Sequence, residues 1–216
     1  MAEDREGIAF IAEFFRHGPN GYLVDIGALD AETGSMSRML IEAGWGGLLV
    51  EPLPESFAKL QAAYRDRPGV HLAQVACSDE EGEAELYPCK GISTLSPEWR
   101  DACAATWKHA QYGPPVRVQK RRLADLLREC GAPEKVDLLL VDTEGHDLQV
   151  LKGMDWGRKP SLVCVETLDM VHPDRRGARG EWLPSPELDS FLRAQGYGSP
   201  VFTSGNGIYA RERPDD

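Results

Sequence analysis

The strongest chemical signal in the sequence is a group of ionisable side chains that follows an apolar run. Four of them lie within residues 142–147, and a cap on the next helix accounts for Asp147 alone. Charges placed together at the end of a buried strand are costly and typical of functional sites. A further acid, Glu166, follows the apolar run at residues 161–165. The predicted catalytic residues are Asp142, Glu144, His146 and Glu166.

Two chemistries remain open for these residues. Asp142 and Glu166 can bind a hard divalent cation such as Mg²⁺ through oxygen, together with water and substrate. They can equally bind a cofactor nitrogen or substrate hydroxyl groups, with His146 or Asp142 acting as a base. The sequence does not decide between a metal ion and a base.

A glycine-containing turn after the first apolar run predicts a cofactor site. The run at residues 22–26 leads into Gly27, and the loop that follows contains Asp30 and Glu32. Gly27 and Gly34 are seven residues apart, so the turn is not the GxGxxG cradle of dinucleotide-binding proteins. An acidic loop repels a pyrophosphate but tolerates a cationic cofactor.

Glu51 ends the second apolar run, 24 residues after Gly27. An acid at about this distance is suited to bind both ribose hydroxyls of a nucleoside cofactor. NAD and S-adenosylmethionine both carry that ribose, so Glu51 alone does not choose between them. Small side chains after the third run suit an adenine ring. The predicted cofactor-binding residues are Asp25, Gly27, Ala28, Ser35, Glu51, Pro52, Ala76, Cys77, Ser78 and Asp142.

The elements that must position these residues alternate along the chain. Nearly continuous apolar runs, typical of parallel strands buried on both faces, occupy residues 22–26, 47–51, 70–75, 136–141 and 161–165. Helical periodicity occupies residues 35–43, 54–64, 123–130 and 147–153. The alternation predicts an α/β, doubly wound and mostly parallel sheet, which binds ligands beyond the carboxyl ends of its strands.

Four segments complete the predicted architecture. A helix at about residues 3–17 begins the chain, and an insertion at about residues 83–118, with a helix-like middle at residues 99–112, covers the substrate. Residues 168–184 form a loop typical of an active-site cover, with His172, Arg175, Arg176 and Arg179. A helix at residues 186–195 then leads to a closing antiparallel hairpin at residues 201–203 and 208–210.

Composition narrows the function classes. The 216 residues have 24 Lys plus Arg against 35 Asp plus Glu, a net charge of −11, which argues against a nucleic-acid-binding protein. No window is long and apolar enough for a membrane span, and the acidic first residues do not read as a signal peptide. The five scattered cysteines imply neither disulfides nor a zinc site. We expect a single cytoplasmic domain of unknown oligomeric state.

Several motifs occur together in a recognisable order. They are VDIGA at residues 24–28, GWGG at 44–47, VEP at 50–52, STL at 93–95, LLVDTEGHD at 139–147, VLKG at 150–153 and VE at 165–166. With these motifs the chain resembles the FkbM-type S-adenosylmethionine-dependent methyltransferases over about residues 20–210. The DTEGH block followed by VLKG is the most specific part.

The resemblance implies a class I methyltransferase fold, a Rossmann-like seven-stranded sheet whose last hairpin is antiparallel. It also implies S-adenosylmethionine as cofactor and methylation, usually at a hydroxyl group of a sugar or secondary metabolite, as in natural product biosynthesis. One departure concerns the first loop. The family commonly has a glycine soon after the DIGA turn, whereas residues 30–35 read DAETGS here.

Three alternatives are less consistent with the sequence. An NAD-dependent oxidoreductase would need the GxGxxG motif, and an RNA methyltransferase is disfavoured by the net charge of −11. A non-catalytic interaction module that retains the cofactor fold should lose its acidic strand ends. This sequence has an acid at each of four strand ends, namely Asp25, Glu51, Asp142 and Glu166.

Overall fold

The computed structural model describes residues 4–18, 20–32, 35–175, 177–178 and 180–211. Its helices are α1 (Arg5–Phe15), α2 (Arg38–Glu42), α3 (Pro54–Tyr64), α4 (Pro97–Thr106), α5 (Leu123–Glu129), α6 (Asp147–Lys152) and α7 (Pro186–Ala194), and a 3-10 turn spans Trp156–Arg158. Its strands are β1 (Tyr22–Ile26), β2 (Gly46–Val50), β3 (Val70–Ala73), β4 (Ala76–Ser78), β5 (Gly82–Leu86), β6 (Val116–Arg122), β7 (Leu138–Val141), β8 (Leu162–Glu166), β9 (Val201–Phe202) and β10 (Asn206–Ala210).

The main sheet has seven strands in the order β3-β2-β1-β7-β8-β10-β9. Strands β3, β2, β1, β7 and β8 are parallel, whereas β10 is antiparallel to both β8 and β9. This confirms the predicted doubly wound sheet and its antiparallel last hairpin. The strand order reverses between β1 and β7, which is the position where such sheets bind ligands.

Helices cover both faces of the sheet because its central strands are apolar on both sides. One face packs against α1, α2 and α3 through Ile11, Leu40, Ile41, Leu60 and Tyr64. The other packs against α5, α6 and α7 through Leu123, Leu127, Val150, Leu151, Leu188 and Leu192. Among the described residues, no helix combines the length and apolarity that crossing a bilayer requires.

A second, three-stranded sheet lies outside this core and was not predicted as such. Its order is β4-β6-β5, with β4 parallel and β5 antiparallel to β6. The third run, predicted as one strand at residues 70–75, forms a strand only as far as Ala73. The residues after it, 76–78, form β4, which pairs with β6 of the second sheet. Apolar patterning marks a buried strand but does not name its partner, which here is 44 residues away at Ala76↔Lys120.

Two predicted helices are shorter than expected. The helix predicted at residues 35–43 spans only Arg38–Glu42, because the Ser35 hydroxyl accepts from the Arg38 N–H in a turn before the helix. The helix-like segment at residues 99–112 becomes α4, which begins earlier, where Ser96 accepts from the Trp99 N–H and Pro97 occupies the first turn. Residue 3, the first residue of the predicted N-terminal helix, lies outside the described residues.

Candidate active site

An open pocket of about 1080 Å³, its mouth included, lies at the carboxyl ends of β1, β2 and β7. Most of the predicted site residues line it: Asp25, Gly27, Ala28, Ser35, Glu51, Pro52, Ala76, Cys77, Asp142, Glu144 and His146. Ser78 and Glu166 are absent from the lining among the described residues. The structure thus brings the separate strand ends into one cavity at the point where the strand order reverses.

The Gly27 turn fixes how closely the strands approach at the floor of the pocket. Gly27 has φ of +88°, and a Cβ built there would lie 1.9 Å from the Asp142 carbonyl oxygen. The Gly27 and Ala28 N–H groups both donate to the Val50 carbonyl, at 3.0 and 3.1 Å. Only glycine fits this position, because it needs a left-handed backbone with no side chain.

Glu51 is held in one orientation by backbone donors on both sides. Its Oε2 accepts from the Leu29 N–H at 3.1 Å and its Oε1 from the Leu53 N–H at 2.7 Å. The side chain is 5% exposed, and burial raises its pKa to about 7 despite these hydrogen bonds. Each carboxylate oxygen keeps a second lone pair with which it can accept from a ligand hydroxyl.

Asp25 provides a second acid on the same side of the pocket. The Ser37 hydroxyl donates to Asp25 Oδ2 at 2.5 Å, and Ser35 Oγ lies 3.3 Å from Ser37 Oγ. Asp25 is 8% exposed, and burial raises its pKa to about 6. We call this part of the pocket, made by Asp25, Gly27 and Glu51, the donor side.

In the loop after Gly27, two residues other than glycine adopt a left-handed backbone conformation. Leu29 and Ala31 have φ of +51° and +67°, a left-handed conformation that is costly for residues with a side chain. Ala31 follows Asp30 and occupies the position where the family that the sequence resembles commonly has glycine. Thr33 and Gly34 of this loop lie outside the described residues.

A second group of acids lies at the carboxyl ends of β7 and β8. One carboxylate oxygen from each of Asp142, Glu144 and Glu166 lies within 4.8 Å of the others, and we call these three residues the acidic edge. Asp142 directly follows β7 and faces the open pocket, whereas Glu144 is 4% exposed. Burial and the neighbouring carboxylates raise the pKa of all three groups, that of Asp142 to about 7.

Residues of the insertion, between β5 and β6, hold Glu144 in place. The Trp99 indole N–H donates to Glu144 Oε2 at 2.9 Å, and the Thr94 hydroxyl donates to the Glu144 carbonyl at 2.6 Å. Glu144 has φ of +54°, and the Trp99 ring leaves no room for a side chain at Gly145, where a Cβ would lie 2.8 Å from it. Sequence reasoning missed Trp99. Its proximity to the STL motif, which contains Thr94, was the available signal.

His146 is hydrogen-bonded outside the acidic edge. Its Nε2 lies 3.1 Å from Ser78 Oγ, and the Ser78 hydroxyl donates to Asp79 Oδ1 at 3.2 Å. A serine hydroxyl has one hydrogen, so Nε2 is the protonated nitrogen in this arrangement and Nδ1 keeps its lone pair. Burial lowers the His146 pKa, which favours the neutral imidazole at pH 7. Ser78, predicted beside the adenine, is thus placed against His146.

The fourth ionisable residue of this segment, Asp147, has a local structural role. Its Oδ1 accepts from the N–H and the hydroxyl of Thr143, at 2.9 and 3.0 Å. Asp147 therefore closes the turn before α6. The prediction that it caps the helix is wrong, because His146 occupies the N-cap position and Asp147 is the first residue of α6.

The loop at residues 168–184 meets the insertion but does not line the pocket with any described residue. Met170 packs in a buried cluster with Trp99 and Cys103 of α4. The Arg175 guanidinium pairs with Asp169, which also accepts from the His172 N–H at 2.9 Å. Arg176 and Arg179 lie outside the described residues.

Comparison with known proteins identifies the family. The sequence model described as the methyltransferase FkbM domain matches residues 25–198, a span that contains the donor side and the acidic edge. The chain belongs to this family. Membership favours a methyltransferase over the NAD-dependent oxidoreductase considered from the sequence.

Two curated relatives and one solved structure illustrate the range of similarity. The methyltransferase sdnD of Sordaria araneosa is 32% identical over 179 aligned residues, covering 69% of this chain and 63% of that protein. The 2-O-methyltransferase NoeI of Sinorhizobium fredii (strain NBRC 101917 / NGR234) is 26% identical over 145, covering 62% and 58%. Magnesium protoporphyrin IX methyltransferase from Synechocystis PCC 6803, solved with bound SAM, has a TM-score of 0.46 and 8% identity, covering 96% of this chain and 79% of that one. The chain thus spans about three fifths of the length of both curated relatives.

Proposed function

We propose that this protein transfers the methyl group of S-adenosylmethionine to a hydroxyl group of a sugar or another small metabolite. The observation that carries this proposal is the single pocket in which Glu51 and Asp25 face the acidic edge across the Gly27 turn. Membership in the FkbM family supports methyl transfer, and the relative named a 2-O-methyltransferase supports oxygen as the accepting atom.

The donor side suits the chemistry of this cofactor. Glu51 is placed to accept from the two ribose hydroxyls, and the apolar wall made by Val75, Cys77 and Leu86 suits the adenine ring. The sulfonium and the amino group are cations, and the acids of the pocket favour them electrostatically. Bound here, S-adenosylmethionine supplies a methyl group that its positive sulfur makes electrophilic.

His146 is the group best placed to take the proton from the acceptor. An alcohol is a weak nucleophile at neutral pH and needs a base in the transition state. As the acceptor oxygen forms its bond to the methyl carbon, the S–CH₃ bond breaks, its electron pair stays on sulfur, and the hydroxyl proton passes to His146 Nδ1. The products are the methyl ether and S-adenosylhomocysteine.

The insertion and the loop at residues 168–184 together cover the acceptor. Their packing through Met170, Trp99 and Cys103 supports this role, because it joins the two excursions beside the acidic edge. A cover that excludes water favours transfer to the acceptor over hydrolysis.

Titration with S-adenosylhomocysteine tests the donor side. Glu51→Ala should weaken binding by about 1–3 kcal/mol, since it removes hydrogen bonds to a charged acceptor. Glu55→Ala makes the same truncation on the exposed first turn of α3 and should bind as the wild type does. Unchanged affinity in Glu51→Ala, or tight NADH binding by the wild type, would contradict the proposal.

The pH dependence of the same titration sharpens the assignment. The pKa of Glu51 is raised to about 7, so the carboxyl is neutral below this pH and ionised above it. An ionised carboxylate is the stronger acceptor for ribose hydroxyls. We therefore expect affinity for S-adenosylhomocysteine to increase as the pH rises through about 7. The increase should be smaller in Glu51→Gln, and an identical pH profile in both proteins would refute the role of Glu51.

A further inference from the structure

We propose that the acidic edge binds one divalent metal ion of the hard, oxygen-preferring class, such as Mg²⁺ or Mn²⁺. Asp142, Glu144 and Glu166 each offer a carboxylate oxygen, and these oxygens lie within 4.8 Å of one another. Such a spacing lets the three oxygens surround a single cation. Carboxylates together with water are the ligands that Mg²⁺ prefers.

An independent observation concerns Glu166. Its Oε2 is fully buried and has no hydrogen-bond partner among the described residues. Buried carboxylate oxygens are normally paired, and three buried acids that line the pocket follow this rule. Glu51, Asp25 and Glu144 each accept from an N–H or hydroxyl group. Glu166 thus presents a buried acceptor without a protein donor beside two other carboxylates, and a cation supplies the missing partner.

The charge of the acidic edge also lacks compensation from the protein. Within the described part of the chain, no Lys, Arg or His forms an ion pair with Asp142, Glu144 or Glu166, whereas Asp125 and Asp169 elsewhere each pair with arginine. Carboxylates this close repel one another strongly when ionised. A divalent cation offsets most of this repulsion.

The surroundings match those of a metal centre that acts on a ligand in the pocket. The Trp99 indole holds one oxygen of Glu144, which is how outer partners orient metal-binding carboxylates. Asp142 and Glu144 line the pocket, whereas Glu166 does not. A cation among the three therefore has its remaining coordination positions toward the cavity. This part of the inference rests on the proposed methyl transfer: the cation would bind the acceptor hydroxyl and lower its pKa.

Direct titration with Mn²⁺ tests the site without any methyl transfer. The measurement is isothermal titration, or the electron paramagnetic resonance signal of free Mn²⁺, with the cofactor-free protein. We expect the wild type to bind Mn²⁺, and Glu166→Gln to bind about tenfold more weakly or worse. Asp142→Asn serves as a second variant, because its side chain faces the open pocket and tolerates an isosteric change. Glu85→Gln, the same change on the exposed face of β5, should leave binding unaltered.

Binding of S-adenosylhomocysteine, measured on the same samples, separates the two proposals. S-adenosylhomocysteine binding without Mn²⁺ binding by the wild type overturns the metal site and leaves the proposed function standing. Mn²⁺ binding without S-adenosylhomocysteine binding by the wild type overturns the proposed function and leaves the metal site standing. Equal Mn²⁺ affinity in the wild type and in either folded variant, with folding checked by circular dichroism, also overturns the metal site.

Discussion

The donor side and the acidic edge both place buried carboxylates at strand ends, but they hold them in different ways. On the donor side the partners are close in sequence: Glu51 accepts from residues 22 and 2 positions away, and Asp25 from a serine 12 positions away. At the acidic edge the partners are distant, with Trp99 lying 45 and Thr94 lying 50 positions from Glu144. The donor side is therefore held by residues near it in the sequence, whereas the acidic edge depends on residues of the insertion between β5 and β6.

This difference has a consequence for function. Local hydrogen bonds form whenever the strand and its loop form, so the donor side should keep its geometry when the insertion is perturbed. The acidic edge should not, because its orienting groups come from α4 and the segment before it. We expect changes at Thr94 and Trp99 to alter the acidic edge while cofactor binding persists.

The largest predicted effect comes from Gly27 of the donor side, whose backbone packs against Asp142 of the acidic edge. Gly27→Ala would force a Cβ to within 1.9 Å of the Asp142 carbonyl oxygen in a left-handed backbone. The clash cannot be relieved by a side-chain rotation, since backbone lies on both sides. We expect a loss of about 2–5 kcal/mol of unfolding free energy, the sum of overpacking and left-handed strain. Denaturant unfolding measures it.

Gly131→Ala is the matched control for this change. Gly131 also has a positive φ, of +66°, but nothing lies within 4 Å of a Cβ built there. It should cost only the left-handed strain, about 1–2 kcal/mol. Equal losses in the two variants would show that the approach of β1 to Asp142 is not the constraint.

The second prediction separates the acidic edge from the donor side. Trp99→Phe removes the indole N–H that holds Glu144 Oε2 and keeps most of the packing against Gly145. We expect a stability loss of about 1–3 kcal/mol, because a buried carboxylate oxygen loses its donor. Mn²⁺ affinity should fall about tenfold, as for other outer partners of metal ligands. Affinity for S-adenosylhomocysteine should stay the same.

Trp156→Phe provides the comparison. It removes an indole N–H that donates to the Leu151 carbonyl at 2.8 Å, away from the residues that line the pocket. Its stability should fall by a similar amount, with no change in Mn²⁺ affinity. If both variants lowered Mn²⁺ affinity equally, a general loosening of the fold would explain the result and Trp99 would have no specific role.

The same division explains what the sequence could predict. The strand ends were readable, because apolar runs locate buried strands and the acids follow them directly, which placed Asp25, Glu51 and Asp142 at one edge. The second sheet was not predictable, because β5 and β6 are largely polar and their pairing is set by contacts across the fold. Trp99 was not predicted for the same reason. Its hydrogen-bond partner, Glu144, lies in another part of the fold, and no periodicity in the sequence relates the two residues.

The smallest predicted effect concerns the departure of the first loop from the family pattern. Ala31 adopts φ of +67°, whereas Ala28, in the same buried cluster, does not have a positive φ. Ala28→Gly loses a buried methyl group and gains chain entropy on unfolding, and should cost about 1–2 kcal/mol. Ala31→Gly pays the same costs but relieves left-handed strain of about 1–2 kcal/mol. It should therefore unfold within about 0.5 kcal/mol of the wild type. Urea unfolding measures the difference, provided that the dependence of unfolding free energy on urea concentration is the same in each protein. Equal losses in both variants would mean that alanine adopts this turn without strain. The donor side would then not depend on the glycine that the family commonly has.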